Sequence, residues 1–228
     1  MVGDGSRMDN SAEGLKLAIR RWLWEEIPER RVLDLYCGKD GRMWEGIWRD
    51  AESYLGCDKF RPHNHTTTLK MSAERAVQSL DLDSWTIFDI DPYASPWVVG
   101  RRILLKRGAG TYGLALTSGE ERGLKNGSSN EIIRRSIGAS GLSDYRLLLH
   151  YRDLVFGLML RSLADIPGIT LKKGVKVTGA GPSKMLYFAM VIESERNGKA
   201  SPCLPQRVSG RALGRLAKKR KNLLARKG

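Results

Sequence analysis

The sequence predicts one α/β domain built on a mostly parallel sheet, with helices on both faces and an antiparallel hairpin at the sheet edge. Three observations lead there. Strand-like and helix-like segments alternate up to about residue 194, the rhythm of βαβ units. The last two strand patterns follow each other across a short turn, which calls for antiparallel pairing. The 228 residues, 41% hydrophobic and 28% charged, suffice for one sizeable domain plus an extension.

Each element has its own signal. "NSAEGLKLAIRRWLWEEI" predicts a helix over about 10–27, with Asn10 or Ser11 as N-cap and Leu15, Leu17, Ala18, Trp22 and Leu23 at helical spacing. "RRVLDLYCG" is a short apolar strand ending in a turn, and "GRMWEGIWRDA" reads as a helix. "ESYLGCDKF" holds a second strand and "HTTTLKM" a third; "SAERAVQSL" is a helix capped by Ser72. "WTIFDID" is a fourth strand, rich in bulky and β-branched residues, and a helix from Ser95 to about Lys106 leads to the fifth, "TYGLALTSG". After a helical stretch from about Leu142 to Asp165, "GITLKKGVKVTGA" and "SKMLYFAMVIES" form the edge hairpin around "GAGPS". "SGEERGLKNGSSNE", directly after the fifth strand, reads as a loop near the ligand edge. Trp22, Trp24, Trp44 and Trp48 repeat at helical spacing and read as core, as His150 does on its apolar helix.

Composition excludes several classes. No apolar run reaches the roughly 18 residues of a membrane span, and the polar, acidic start is no secretory signal, so a cytoplasmic protein is expected. Cys37, Cys57 and Cys203 are odd in number and lack metal-ligand spacing, which speaks against a disulfide framework or a zinc site; reduced thiols and no bound metal are expected. The formal net charge of +14 points to a polyanionic partner. Most of it is local: from residue 195 onward, eleven Lys or Arg stand against Glu195 alone, a net +10. The chain therefore divides into a domain over 1–194 and a basic C-terminal tail over 195–228. Arg207, Arg211 and Arg215 recur every four residues, followed by Lys218, Lys219, Arg220 and Lys221, with leucines near one helical face. That tail is the predicted nucleic-acid-binding segment.

Ligands of open α/β sheets bind beyond the carboxyl ends of the strands, so the residues closing each strand carry the functional information. Strand one closes with "VLDLYCGKDG": Asp34 in the strand, then Gly38 and Gly41, where the backbone adopts positive φ and approaches a ligand closely. Strand two closes with Asp58, 24 residues on, an acid placed to accept both hydroxyls of a ribose. The absence of G-x-G-x-x-G argues against a dinucleotide and leaves S-adenosylmethionine as the nucleoside-bearing cofactor. Strand four closes with "FDIDPYASPW", two acids, a proline and a tyrosine. The two histidines of "PHNH", His63 and His65, read as loop residues that are solvated or near the ribose.

These stretches resemble the class I S-adenosylmethionine-dependent methyltransferases over roughly 31–194. "VLDLYCGKDG" is similar to their first motif, "YLGCDKF" to the strand-two acid, and the closing hairpin to their sixth and seventh strands. The resemblance implies a Rossmann-like seven-stranded sheet. It implies that Asp34, Tyr36, Gly38 and Gly41 flank the methionine part of the cofactor, that Asp58 holds the ribose, and that Ser72 in "KMSAERA" stands beside the adenine. Asp40 stands where the family usually has a glycine, with Gly41 one place late.

"DIDPYASP" is similar to the DPPY motif of amino-methylating enzymes, and more so to the DLDPFGSP form of the tRNA guanine-N2 methyltransferase family. The residue types suit the chemistry. An exocyclic amine has its lone pair delocalised into the base, and a carboxylate with an adjacent carbonyl can accept its hydrogens and redirect that lone pair. Pro92 removes a competing donor, and Tyr93 is placed to stack on the base. The resemblance implies Asp91 as amine acceptor, Asp89 as second choice and RNA, with tRNA guanine N2 first, as substrate. That tRNA family carries a further C-terminal domain that these 228 residues do not contain, which keeps DNA adenine N6 or cytosine N4 open. A protein glutamine amide, or nucleic-acid binding without catalysis, are the remaining alternatives.

Overall fold

The computed structural model describes residues 13–60, 62–92, 95–119, 143, 156–178 and 185–196. Helix α1 (Glu13–Glu26) leads into β1 (Arg31–Asp34), then α2 (Arg42–Gly46) and a 3-10 turn (Trp48–Asp50). β2 (Ser53–Asp58), β3 (Thr68–Lys70), α3 (Ala73–Ser79), β4 (Ile87–Ile90), α4 (Trp97–Lys106) and β5 (Gly110–Ser118) follow, with a 3-10 turn at Leu82–Ser84. α5 (Phe156–Ala164), β6 (Ile169–Thr178) and β7 (Leu186–Ser194) complete the described chain.

The seven strands form one sheet in the order β3-β2-β1-β4-β5-β7-β6. β1 to β5 run parallel, and β7 is antiparallel to both β5 and β6. The expected mostly parallel sheet with an antiparallel edge pair is what the chain builds. The strand order reverses between β1 and β4, where Asp34 lies in register with Asp89. That reversal opens a crevice at the carboxyl ends of these two strands.

Burial explains the layers. All four residues of β4 are buried, as a parallel strand covered on both faces requires. One core contains Leu33, Phe88, Ile90 and Leu116 under Trp97, Ile103 and Leu104 of α4, with Ala76 and Val77 of α3 and Met159 and Leu163 of α5. The other packs Ile19, Leu23 and Ile27 of the α1 segment with Trp48 against Val32, Ile87, Ala115 and Tyr187. Each fully buried Leu or Ile stabilises the fold by about 1.5–3 kcal/mol. The edge strand β6 turns Lys172, Lys173 and Lys176 outward, charges that discourage pairing with another chain.

The helix expected over "GRMWEGIWRDA" is shorter than its sequence pattern. α2 stops at Gly46 because Ile47 takes φ −151°, ψ −39°, and the chain tightens into the Trp48–Asp50 turn. That break swings Trp48 into the core, where it is fully buried. The expected caps at Asn10 and Ser11, His150, the "GAGPS" turn, most of the loop after β5, the helical stretch before Phe156, Cys203 and the basic tail lie outside the described residues. Cys37 and Cys57 are buried free thiols, as expected.

Candidate active site at the carboxyl ends of the strands

The three strand endings singled out in the sequence lie on neighbouring strands: Asp34 is paired with Asp89 of β4 on one side and with Gly56, two residues before Asp58, on the other. Asp34 is buried at the end of β1. Its Oδ1 accepts from the Tyr36 backbone N–H at 3.1 Å and its Oδ2 from the Tyr54 hydroxyl at 3.0 Å. Burial, reinforced by the Asp89 carboxylate, pushes the Asp34 carboxyl well above the usual range, although the Tyr36 N–H, Arg20 and Tyr54 act against this.

The loop after β1 turns on two glycines in the left-handed region, Gly38 at φ 64° and Gly41 at φ 59°. Their surroundings differ. A Cβ at Gly38 would meet nothing within 4 Å, so the loop backbone there faces open space. A Cβ at Gly41 would meet the His65 and His63 rings at 2.8 and 2.9 Å. Gly41 precedes α2, which at five residues is too short to offer a substantial helix dipole. Asp40, between the two glycines, is half-exposed and sits 3.7 Å from the Arg42 guanidinium.

Asp58 ends β2 with its Oδ1 accepting from the Phe60 N–H at 2.7 Å, and its carboxylate is partly exposed beside the crevice. Ser72 is the N-cap of α3, accepting from the Arg75 N–H at 3.3 Å, as expected from its cap position. Tyr36 is half-buried against the α3–α4 core, and burial followed by the nearby Glu74 raises its phenol pKa.

At β4 the two acids part in role. Asp89 is fully buried and both its oxygens are taken: Arg20 Nε donates to Oδ2 at 2.6 Å, Arg20 NH2 to Oδ1 at 2.5 Å, and Trp48 Nε1 to Oδ2 at 2.8 Å. Asp91 lies nearer the open edge, 15% exposed. Lys16 donates to its Oδ2 at 2.6 Å and Arg20 lies 3.9 Å from the same oxygen. The buried Thr117 hydroxyl at the end of β5 faces this carboxylate outside regular hydrogen-bond geometry. Burial alone would raise the Asp91 pKa; Arg20 and Lys16 outweigh it, and the carboxyl titrates below its ordinary range. Pro92 is buried next to it, and Tyr93 lies outside the described residues.

Four participants were not anticipated from sequence: Lys16, Arg20, Trp48 and Tyr54. The signal for Arg20 was present, since a cation beside Ile19 and one turn from Leu23 sits on the apolar stripe of α1. A buried cation implies a buried partner. For His63 the solvated alternative falls away. It is 2% exposed, not solvated, because its backbone N–H donates to Gly38 O at 2.8 Å and its ring packs between Gly41, Tyr54 and His65. His65 keeps partial exposure and stacks on Trp44, with centroids 5.6 Å apart and planes 3° apart. The His65 N–H donates to His63 Nδ1 at 3.3 Å, which assigns the proton to Nε2 and lets it donate to the Tyr54 oxygen at 3.2 Å. A directed chain therefore runs from the histidine loop through Tyr54 to Asp34.

Among solved structures, a candidate hemolysin from Lactococcus lactis is similar at 12% identity and TM-score 0.51, covering 81% of this chain and 88% of that one. The N-methyltransferase NodS from Bradyrhizobium japonicum WM9 aligns at 8% identity and TM-score 0.46, over 82% of this chain and 98% of its own. An rRNA methylase from Streptococcus thermophilus aligns at 9% identity and TM-score 0.43, over 77% and 93%. At such identities the likeness concerns the fold alone. No protein-family model matches the chain, and no curated protein matches its sequence. The fold class is Rossmann-like: a seven-stranded, mostly parallel sheet with an antiparallel edge pair. Among the described residues, no group of three or more His, Cys, Asp or Glu is placed to hold a metal ion. No helix among them is long and apolar enough to cross a membrane.

Proposed function

We propose that the protein transfers a methyl group from S-adenosylmethionine to an exocyclic amino group of a nucleic-acid base, with RNA, and tRNA guanine N2 in particular, as the preferred substrate. The observation that carries this reading is the Asp91 carboxylate, kept low in pKa by Arg20 and Lys16 just beyond the end of β4, the strand that pairs with β1. Asp-Pro-Tyr at this strand end is the resemblance to the amino-methylating motif, and an ionised carboxylate there supports the reading of Asp91 as a hydrogen-bond acceptor.

The residues present fit the cofactor. Gly38 faces open space at a φ that favours glycine, and Asp58 stands at the next strand end with its carboxylate partly exposed. Asp34, Tyr36, Gly38 and Gly41 would flank the methionine part, Asp58 would hold the ribose hydroxyls, and Ser72 would stand near the adenine while capping α3. When bound, the group supplies a methyl on a cationic sulfonium, ready for attack by a neutral nitrogen.

The chain's own work is orientation. Asp91 accepts a hydrogen of the target amine, pulling the nitrogen lone pair out of conjugation and aiming it out of the base plane. Pro92 adds no N–H to compete for that amine. Tyr93 stacks on the base, a contact worth about 1–3 kcal/mol. Asp89, with both oxygens bound, holds Arg20 in place beside Asp91. The 207–228 tail, with Arg207, Arg211, Arg215, Lys218, Lys219, Arg220 and Lys221, binds the phosphate backbone. The test is incubation with methyl-labelled S-adenosylmethionine and separate pools of tRNA, rRNA, DNA and protein. Label in tRNA as N2-methylguanine is the expected result; label confined to DNA or to protein amides overturns the RNA assignment, and no label in any pool overturns the enzyme reading.

A further inference from the structure

Helix α1 lies outside every strand-end motif, yet it reaches the acceptor site with two cations. Lys16 and Arg20 stand four residues apart on one face of α1, and the Arg20 NH1 donates to the Lys16 carbonyl at 3.1 Å. Both address the same oxygen of Asp91: Lys16 Nζ at 2.6 Å and Arg20 NH2 at 3.9 Å from Oδ2. Both cations thus fall on Oδ2, and the Thr117 hydroxyl is the further group that faces the carboxylate. A carboxylate held by one oxygen has its rotation fixed, and its other oxygen is presented in a set direction.

Their burial separates the two cations. Arg20 is fully buried and bound to Asp89, so its position is set by the fold. Lys16 is 27% exposed and is held there by Asp91 itself. We propose that Lys16 is a positioning residue for the acceptor site: it pins Oδ2 of Asp91 so that Oδ1 is presented to the target amine. This rests on the reading of Asp91 as amine acceptor. It makes α1 part of the active site and assigns Lys16 a task that no motif marks.

The groups facing Asp91 are Arg20 and Lys16 from α1 and the Thr117 hydroxyl from β5, with Asp89, two residues earlier in β4, tied to Arg20. Removing Lys16 therefore leaves one cation, at the longer distance, to oppose burial of the carboxylate. In full-length protein, Lys16→Met is expected to lower kcat by roughly tenfold to a hundredfold with KM for the cofactor unchanged. The acidic limb of the pH–rate profile should move upward, because one of the two cations that hold the Asp91 carboxyl low is gone. Lys16→Arg should restore most of both.

Titration of the Asp91 carboxyl carbon by NMR, in wild type and Lys16→Met, reads the same contact without turnover and is expected to show the same upward shift. An active wild type whose Lys16→Met variant keeps its rate, its pH profile and its Asp91 titration overturns the role of Lys16 alone. A shifted titration with unchanged kcat and pH profile also overturns it, because the contact then does not serve the reaction. A folded wild-type chain that labels no pool overturns the acceptor reading, and this proposal with it.

Discussion

Arg20 and Asp89 meet as a bidentate pair with both side chains fully excluded from solvent, bridging the first helix to the strand that closes on Asp91. Such a pair ties fold to site, because either charge left alone in the core is costly. Arg20→Met strands a buried carboxylate and is expected to destabilise by about 3–5 kcal/mol in urea denaturation. Combining it with Asp89→Leu should recover most of that loss, since a desolvated pair and an apolar pair of similar volume differ little. A double variant as unstable as Arg20→Met would mean that Trp48, which also donates to Asp89, governs the site instead.

The two loop glycines should respond differently to alanine. Gly38→Ala meets no steric obstacle, so only the left-handed backbone resists it, about 1–2 kcal/mol, and the fold should persist. Its methyl enters the open space over the loop, so affinity for S-adenosylmethionine should fall at least tenfold by calorimetry. Gly41→Ala carries the same backbone cost and also drives a methyl into His63 and His65. It should lower the thermal midpoint by more than Gly38→Ala does.

The contribution of His63 to stability should fall as the medium turns mildly acidic, while the raised Asp34 carboxyl, which takes up its proton in the folded state first, contributes in the opposite sense. Burial, then the neighbouring His65, lowers the His63 pKa, while Glu45 opposes the shift. The folded state therefore prefers neutral His63, whereas the unfolded chain takes up a proton as pH falls through about 6.5. Stability contributed here is level above that value and declines below it until the folded pKa is reached. The groups around the ring are Tyr54, which leads on to Asp34, together with His65 and Glu45. Relative to wild type, His63→Gln should gain stability as pH drops from 7 to 5, read as the difference between the two denaturant midpoints at each pH.

The sheet was legible in the sequence because each strand carried its own local signal. "RVLD", "SYLGCD" and "IFDI" are apolar runs bounded by turns, and βαβ alternation constrains their order. The strand-end acids were legible for the same reason, their position following from the strand. Lys16, Arg20 and Trp48 were not, because their roles come from contacts 75, 69 and 41 residues away along the chain. Periodicity assigned Trp48 correctly to the core but could not show that its indole N–H reaches Asp89. His63 looked like a loop residue because "PHNH" is polar; only the return of that loop onto Gly38 and Gly41 buries it.

The basic tail has a separable prediction. Deleting residues 207–228 should weaken nucleic-acid binding and flatten its salt dependence while leaving cofactor affinity intact. With about 6–10 phosphates neutralised, the full chain should lose roughly 10³–10⁵ in affinity between 50 and 200 mM salt. An equal salt slope with and without the tail would place the phosphate contacts elsewhere.

The most direct test is methyl transfer by Asp91→Asn, which keeps the side-chain shape and removes the charge. Label transferred from S-adenosylmethionine to the nucleic-acid substrate should drop by about 10²–10³ with cofactor affinity preserved. Transfer at the wild-type rate by a folded Asp91→Asn protein would contradict the account.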